Sequence, residues 1–319
     1  MEHTVESAAR SPLPGPAIEA VRAEPLRLTE AMTVSQGFQA IVINCLLQIQ
    51  ANAEGVRHQD AECVHQMRVG LRRLRSAFSL FKEPLSPGDA LQADLLWLTG
   101  VLGAARDWDI LAGTVVAPAA IAAPEPAALE EIGVAARLRA RLYYHAAADA
   151  VGSPRYERLT TALRLWIQHR RWRENVTPRQ RARLKTPIPP FADAMLAERR
   201  QRLQHQAAVQ TDATAHQRHR MRIAAKKLRY TTEFFGCLYR RKPLSAYLAA
   251  LREMQETLGW LNDAATTDRL LGELRDQNPG LAESIGFVRG YLAAQAAQAK
   301  MTLPVQWQNL QTLALPARR

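Results

Sequence analysis

The sequence predicts an all-α chain. Three observations carry this reading. From Thr33 onward, apolar residues recur at helical spacing. Ala, Leu, Arg and Gln dominate the same stretch, and all four enter a helix at little cost. No Asn-Gly or Asp-Gly turn joins alternating β-branched runs, so hairpin signals are absent.

Punctuation divides the chain into about nine helices. Residues 1–32 are rich in Pro and Ala and poorly periodic, and read as a tail or linker. Helices follow at 33–54 and 60–83. PLSPGD at 84–89 ends the second and starts a third over 89–113. APAAIAAPEPA at 117–127 reads as a loop before a helix at 127–150. GSP at 152–154 restarts a helix at Pro154, a favoured first-turn residue, over 154–173. TPRQRARLKTPIPP at 177–190 is the longest break. Helices then fall at 191–209, 213–240, 244–275 and 280–302, separated by KPLS at 242–245 and NPG at 278–280. Residues 304–319 read as a C-terminal tail.

Composition narrows the partners. The formal net charge is +12 over 319 residues, which favours a polyanion: nucleic acid, an anionic membrane surface or inorganic phosphate chains. Cys45, Cys63 and Cys237 lie far apart without CxxC spacing, so neither a disulfide framework nor a zinc site is expected. No signal peptide is evident at the N-terminus and no apolar run approaches 18 residues, so a cytoplasmic protein with no membrane span is expected.

The strongest signal is a repeat. HQMRVGLRRLR at 65–75 returns as HRMRIAAKKLR at 219–229, and LGAARD at 102–107 returns as LGWLND at 258–263. His65 and His219 are 154 residues apart, and Gly103 and Gly259 are 156 apart. Two markers that keep nearly one offset imply an internal duplication. Each copy reads as a four-helix unit, the first over 33–150 and the second over 191–303, joined by a connector at 151–190.

On a helix, His65, Arg68, Arg72 and Arg75 share one stripe about 80° wide, opposite Met67, Leu74, Phe78 and Phe81. His219, Arg222, Lys226 and Arg229 repeat that stripe opposite Met221, Leu228 and Phe235. One face packs and the other carries a file of cations. The cations repel at i, i+3 and i, i+4 spacing unless something offsets them. Glu233, four residues after Arg229, is placed to tether that arginine. An anion would serve the rest, and arginine forks suit phosphate oxygens. A single basic stripe is also what a solvated helix face looks like; the duplication argues against that.

Other residues join the candidate set. Gly103 and Gly259 suit close helix packing or a kink. Asp107, Asp109 and Asp263 pair with arginines, either as plain ion pairs or to orient those that hold the ligand. Arg106 and, on RLRARLYYH, Arg137 and Arg141 extend the cationic wall; Arg155, Arg199 and Arg202 are weaker candidates. The mixture of Trp166 and Trp172 with Arg170, Arg171 and Arg173 at 166–185 suggests base stacking on single-stranded nucleic acid, or tryptophan anchors beneath a solvated basic loop. His216 and His219 have metal-compatible spacing but no third ligand, so no metal and no cofactor are expected. Walker, GxSxG and HExxH signatures are absent from the sequence, so it is not read as an enzyme.

ECVHQMRVGLRRLRSAFSLF at 62–81, LGAARDWD at 102–109, RHRMRIAAKKLRYTTEFF at 218–235 and LGWLND at 258–263 resemble the CHAD family, the conserved-histidine α-helical domain. The resemblance covers most of 33–303. It implies two pseudo-twofold-related four-helix bundles around a central basic cavity or pore. It also implies binding of inorganic polyphosphate and association with polyphosphate granules. Carried over by position, the contacts are His65, Arg68, Arg72, Arg73 and Arg75, then His219, Arg222, Lys226, Lys227 and Arg229. Arg73 and Lys227 lie off the main stripe. Many family members follow a CYTH-type triphosphatase domain, and RAEPLRLTEAMTVSQGF at 22–38 looks like the usual join. With about 30 residues before the first helix, a free-standing form or a C-terminal portion is expected, without triphosphatase activity. The leading reading is a non-catalytic polyphosphate-binding module. The alternatives are an RNA- or tRNA-binding protein using the outer basic surface and a polyphosphate-acting phosphatase.

Overall fold

Helix start signals set the architecture. Thr33, Thr177 and Thr214 each cap a helix whose third residue is Gln, and each pair closes a reciprocal capping box. Ser153 caps the helix that Pro154 opens, its hydroxyl accepting from Tyr156 N–H. Each such cap contributes roughly 1 kcal/mol. The computed structural model describes residues 19–81, 85, 87–174, 176–207, 209 and 212–319. These residues form α-helices α1 (Val34–Ala51), α2 (Ala53–Arg57), α3 (Ala61–Phe81), α4 (Asp89–Asp109), α5 (Ala117–Ala122) and α6 (Ala127–Gly152). There follow α7 (Pro154–Gln168), α8 (Pro178–Leu184), α9 (Ile188–His205), α10 (Ala215–Phe235), α11 (Arg241–Gln277) and α12 (Ala282–Thr312). No strand occurs among the described residues.

In the first half α1 packs on α3, α3 on α4, and α4 on α6. In the second half α9 packs on α10, α10 on α11, and α11 on α12. The halves meet where α3 lies against α10 and α4 against α11. One continuous apolar core runs through both. Its aromatic centre crosses the boundary: the Phe81 ring stacks on Phe191 at 5.0 Å between centroids and meets Phe235 edge-on at 6.4 Å.

Several boundaries differ from the sequence reading. The segment 117–127, expected as a loop, is helical through Ala122. A π-helical stretch, Ile110–Val116, joins α4 to α5, and Pro118 falls in the first turn of α5, where no N–H donor is needed. The last helix, expected to end at 302, runs to Thr312 through Pro304, because Leu303, Trp307 and Leu310 are buried and hold it. Beyond it Arg240 N–H donates to Ala317 O at 2.9 Å, and Arg318 pairs with Asp193. Residues 304–319 are therefore packed rather than a tail. The break expected at 177–190 contains α8, and Pro189 and Pro190 sit in the first turn of α9. Of the expected N-terminal tail, residues 1–18 lie outside the described residues. Residues 19–32 lie on the body: Asn52 exchanges two hydrogen bonds with the backbone of Val21, and Leu28 is buried. The break at 84–89 is only partly within the described residues.

Gly70 fixes how closely α3 approaches α1. A Cβ at Gly70 would lie 2.8 Å from Ile49 Cγ1, closer than packed atoms tolerate, and a tight 3.3 Å from the Ile49 backbone nitrogen. Gly70→Ala is expected to destabilise the protein by about 1–3 kcal/mol, as overpacking does. Urea unfolding of the two proteins side by side would show it as a lower midpoint at unchanged slope.

Candidate anion-binding site

The contact of α3 with α10 brings the two basic stripes together. Arg72 lies close enough to Arg222 and Lys226 to lower the pKa of both, and Arg68 feels Asp263 from the other half. The result is a half-buried cluster of Arg68, Arg72, Arg106, Arg222, Lys226 and Arg229.

The LGxxxD motifs hold its edges. Arg68 Nη1 donates to Gly103 O at 2.7 Å and Leu102 O at 3.2 Å, and lies 3.9 Å from Asp107 Oδ1. In the second half Arg222 Nη2 lies 3.7 Å from Asp263 Oδ1. Each motif thus sets one carboxylate against one stripe arginine. A Cβ at Gly103 or at Gly259 would meet no atom within 4 Å, so neither glycine serves close helix packing. At Gly103 the motif instead offers its carbonyl to Arg68. Asp109 steadies Arg106, 3.7 Å away, and accepts from the Tyr144 hydroxyl. Glu233 tethers Arg229 at 2.9 Å and also faces Arg252 at 3.8 Å.

What these contacts leave uncompensated defines the site. Among the described residues Arg72 and Lys226 have no acidic partner within ion-pair distance, and the buried Nε atoms of Arg72 and Arg222 have no hydrogen-bond partner. Burial, then the Arg222 and Arg72 guanidinium charges, pull the Lys226 ammonium down to about 7. Burial likewise lowers Arg68 and Arg222, and raises Asp107 against the opposing pull of Arg68. His65 sits half-buried at the edge of the cluster; burial, followed by Arg106, Arg72 and Arg68, lowers its pKa despite the opposing Glu62. Burial thus favours its neutral form. His219 is exposed, with Nδ1 2.9 Å from Asn262 Oδ1.

Other sequence candidates stand elsewhere. Arg73 is 8% exposed and turned toward α1, donating to Gln48 Oε1 and Asn44 Oδ1 at 2.9 and 2.8 Å, with Phe234 beneath its guanidinium. It ties helices together rather than facing the cluster. Lys227 shares a different pocket with Arg199 and Arg202. Arg75, Arg137 and Arg141 are exposed, and the Arg137 guanidinium lies back along its own helix beside Gly133. Arg155 is paired with Asp94 at 2.7 Å and lies over the Trp97 ring. Trp166 and Trp172 are 8% and 1% exposed, packed with Phe38, so neither offers a ring face for base stacking. Among the described residues no group of three metal-ligating side chains includes His216 and His219.

Sequence reasoning missed Gln255, whose buried amide accepts from Arg229 Nε at 2.7 Å and donates to Ala225 O at 2.8 Å. The signal was present: Gln255, Gly259 and Asp263 lie four residues apart on one face of α11. Arg269 was missed as well; it counters the rise at Asp107 from the other half.

The CHAD domain family model matches residues 40–272. The crystal structure of the CHAD domain from the plant Ricinus communis aligns with a TM-score of 0.82 at 39% identity, covering 94% of this chain and 99% of that one. PptA from Streptomyces chartreusis shares the fold at a TM-score of 0.60 and 16% identity, over 87% of this chain and 100% of its own. No curated protein matches the chain. With a family match over well over half its length, and a similar crystal structure spanning nearly all of it, the chain belongs to the CHAD domain family.

Proposed function

We propose that the chain binds linear inorganic polyphosphate at the α3–α10 cluster and does so without catalysis. One observation supports this above the rest. Arg72 and Lys226, from the two repeated helices, are held side by side in a half-buried place without an acidic partner among the described residues. A polyanion would relieve that repulsion and occupy the free guanidinium donors. On α3 the file from Arg68 to Arg72 spans about 6 Å at ~1.5 Å per residue, and the facing file from Arg222 to Arg229 about 10 Å, room for consecutive phosphates. The nearby acids argue for binding rather than chemistry: Asp107, Asp109 and Asp263 each face an arginine. The pseudo-twofold arrangement and the central basic cavity belong to the same proposal. They are supported by matching helix packing in the two halves and by the paired arginine–aspartate contacts.

Titration of the purified protein with long-chain polyphosphate, with single-stranded RNA as competitor, tests the reading. Tight, salt-dependent binding that RNA does not displace is expected. Arg72→Ala/Lys226→Ala should weaken it at least tenfold. Equal competition by RNA, with the double variant unaffected, would move the site to the outer basic surface at 164–185.

Binding should also take up protons. The unliganded Lys226 titrates at about 7, and a bound phosphate chain favours its charged form. Affinity should therefore fall as pH rises from about 6.5 to 8.5. In Lys226→Arg that slope should flatten, because the guanidinium stays charged. Calorimetry in buffers of different ionisation enthalpy reads the proton count directly.

The same shift has a stability sign. An unfolded lysine titrates near 10.4, so between about pH 7 and pH 10 the unfolded chain binds more protons at this position than the folded one. The lysine therefore costs stability that is recovered as pH rises. Lys226→Met should melt at a higher temperature than the parent at pH 7, without ligand, while losing polyphosphate binding. A lower melting temperature would show that the repulsion is already compensated.

A further inference from the structure

Around α10 from the central cluster, the face turned toward α9 gathers positive charge a second time. Arg199, Arg202 and His205 from α9 and Arg220, Ile223 and Lys227 from α10 line a pocket of about 310 Å³. On α10 the stripe Arg220, Ile223, Lys227 follows i, i+3, i+7 spacing and is separate from the stripe Arg222, Lys226, Arg229. The two groups thus occupy different sides of one helix.

The pocket is built rather than incidental. Arg199 is 3% exposed; its Nη2 donates to the Ser79 carbonyl on α3 at 2.7 Å, while its buried Nε has no hydrogen-bond partner. Arg202 pairs with Glu198 at 2.7 Å. Among the described residues Arg220 and Lys227 have no acidic partner within ion-pair distance. Burial and the neighbouring Arg199 and Arg202 charges hold the Lys227 pKa below its ordinary value. The wall between these cations is apolar: Ile223 is 40% exposed, and Ala224 lies beside it. Unpaired cations against an exposed aliphatic wall suit an anion with an apolar body, and the volume suits a small molecule.

We propose that the α9–α10 pocket is a second binding site, independent of the central cluster, for a small phosphorylated organic anion. Arg220 and Lys227 hold its phosphate, Arg199 stands behind them, and Ile223 and Ala224 carry its organic part. Lys227 then serves this site rather than a polyphosphate chain.

The test uses the full chain, calorimetry, and two probes: 1-naphthyl phosphate and inorganic phosphate. Naphthyl phosphate should bind, and more tightly than inorganic phosphate. Arg220→Gln/Lys227→Gln should weaken it at least tenfold while keeping a cooperative thermal melt at or above the wild-type position, since the buried Lys227 charge is removed. Ile223→Ser should weaken naphthyl phosphate several-fold and leave inorganic phosphate unchanged. Arg72→Ala/Lys226→Ala should leave naphthyl phosphate binding unchanged, so failure of the polyphosphate reading and failure of this one are separately visible. Three results would overturn it: no binding of naphthyl phosphate, loss of binding only in the central double variant, or equal affinity for the two probes in the wild type.

Discussion

Like charge held at close quarters between α3 and α10 is the constraint on which the rest of the structure turns. Two helices whose facing stripes repel would not dock on their own account. They are held by what lies on their opposite faces: Met67, Leu71, Leu74 and Phe78 on α3, and Met221, Leu228 and Phe235 on α10, all buried. Each fully buried side chain of this kind contributes roughly 1.5–3 kcal/mol. Several together outweigh the repulsion of half-buried cations, which is also softened by the carboxylates beside them. The aromatic contacts of Phe81 with Phe191 and Phe235 fasten the halves at the same boundary.

Compensation in the cluster is graded, and the gradation separates cations with protein partners from cations without. Arg229 is engaged by Glu233 and Gln255, and Arg68 by the Gly103 carbonyl and Asp107, while Arg73, outside the cluster, is held by side-chain amides. Arg222 has a loose carboxylate at 3.7 Å. At Arg72 and Lys226 compensation stops. The paired residues set the geometry and the unpaired ones carry the electrostatic demand.

Much of this was legible in the sequence, for definable reasons. A helical stripe is a local property, so the azimuth already set Arg73 and Lys227 apart from their neighbours, although the family resemblance counted both among the contacts. The recurrence of the two phrases was legible because both kept nearly one offset. Helix ends were less so: the loop expected at 117–127 and the tail expected from 304 are helical through Ala122 and Thr312, because a π-helical turn and tertiary packing carry the helices past Pro118 and Pro304. Arg–Trp mixing at 166–173 looked the same in sequence whether the rings faced out or in; burial against Phe38 decided it. Gln255 was obscured because its role depends on a partner from another helix.

The two stripes are separated by about half the chain, and this has a consequence for the order of folding. Each half buries apolar surface through contacts that are short in sequence and quick to close. The meeting of Arg72 with Lys226 requires docking of the halves and so belongs among the long-range steps. Electrostatic repulsion between the stripes therefore opposes the docking of the halves rather than the local contacts within either. A polyanion present during folding would act on that association step, as a template that lowers its barrier, and would leave the early helical contacts untouched.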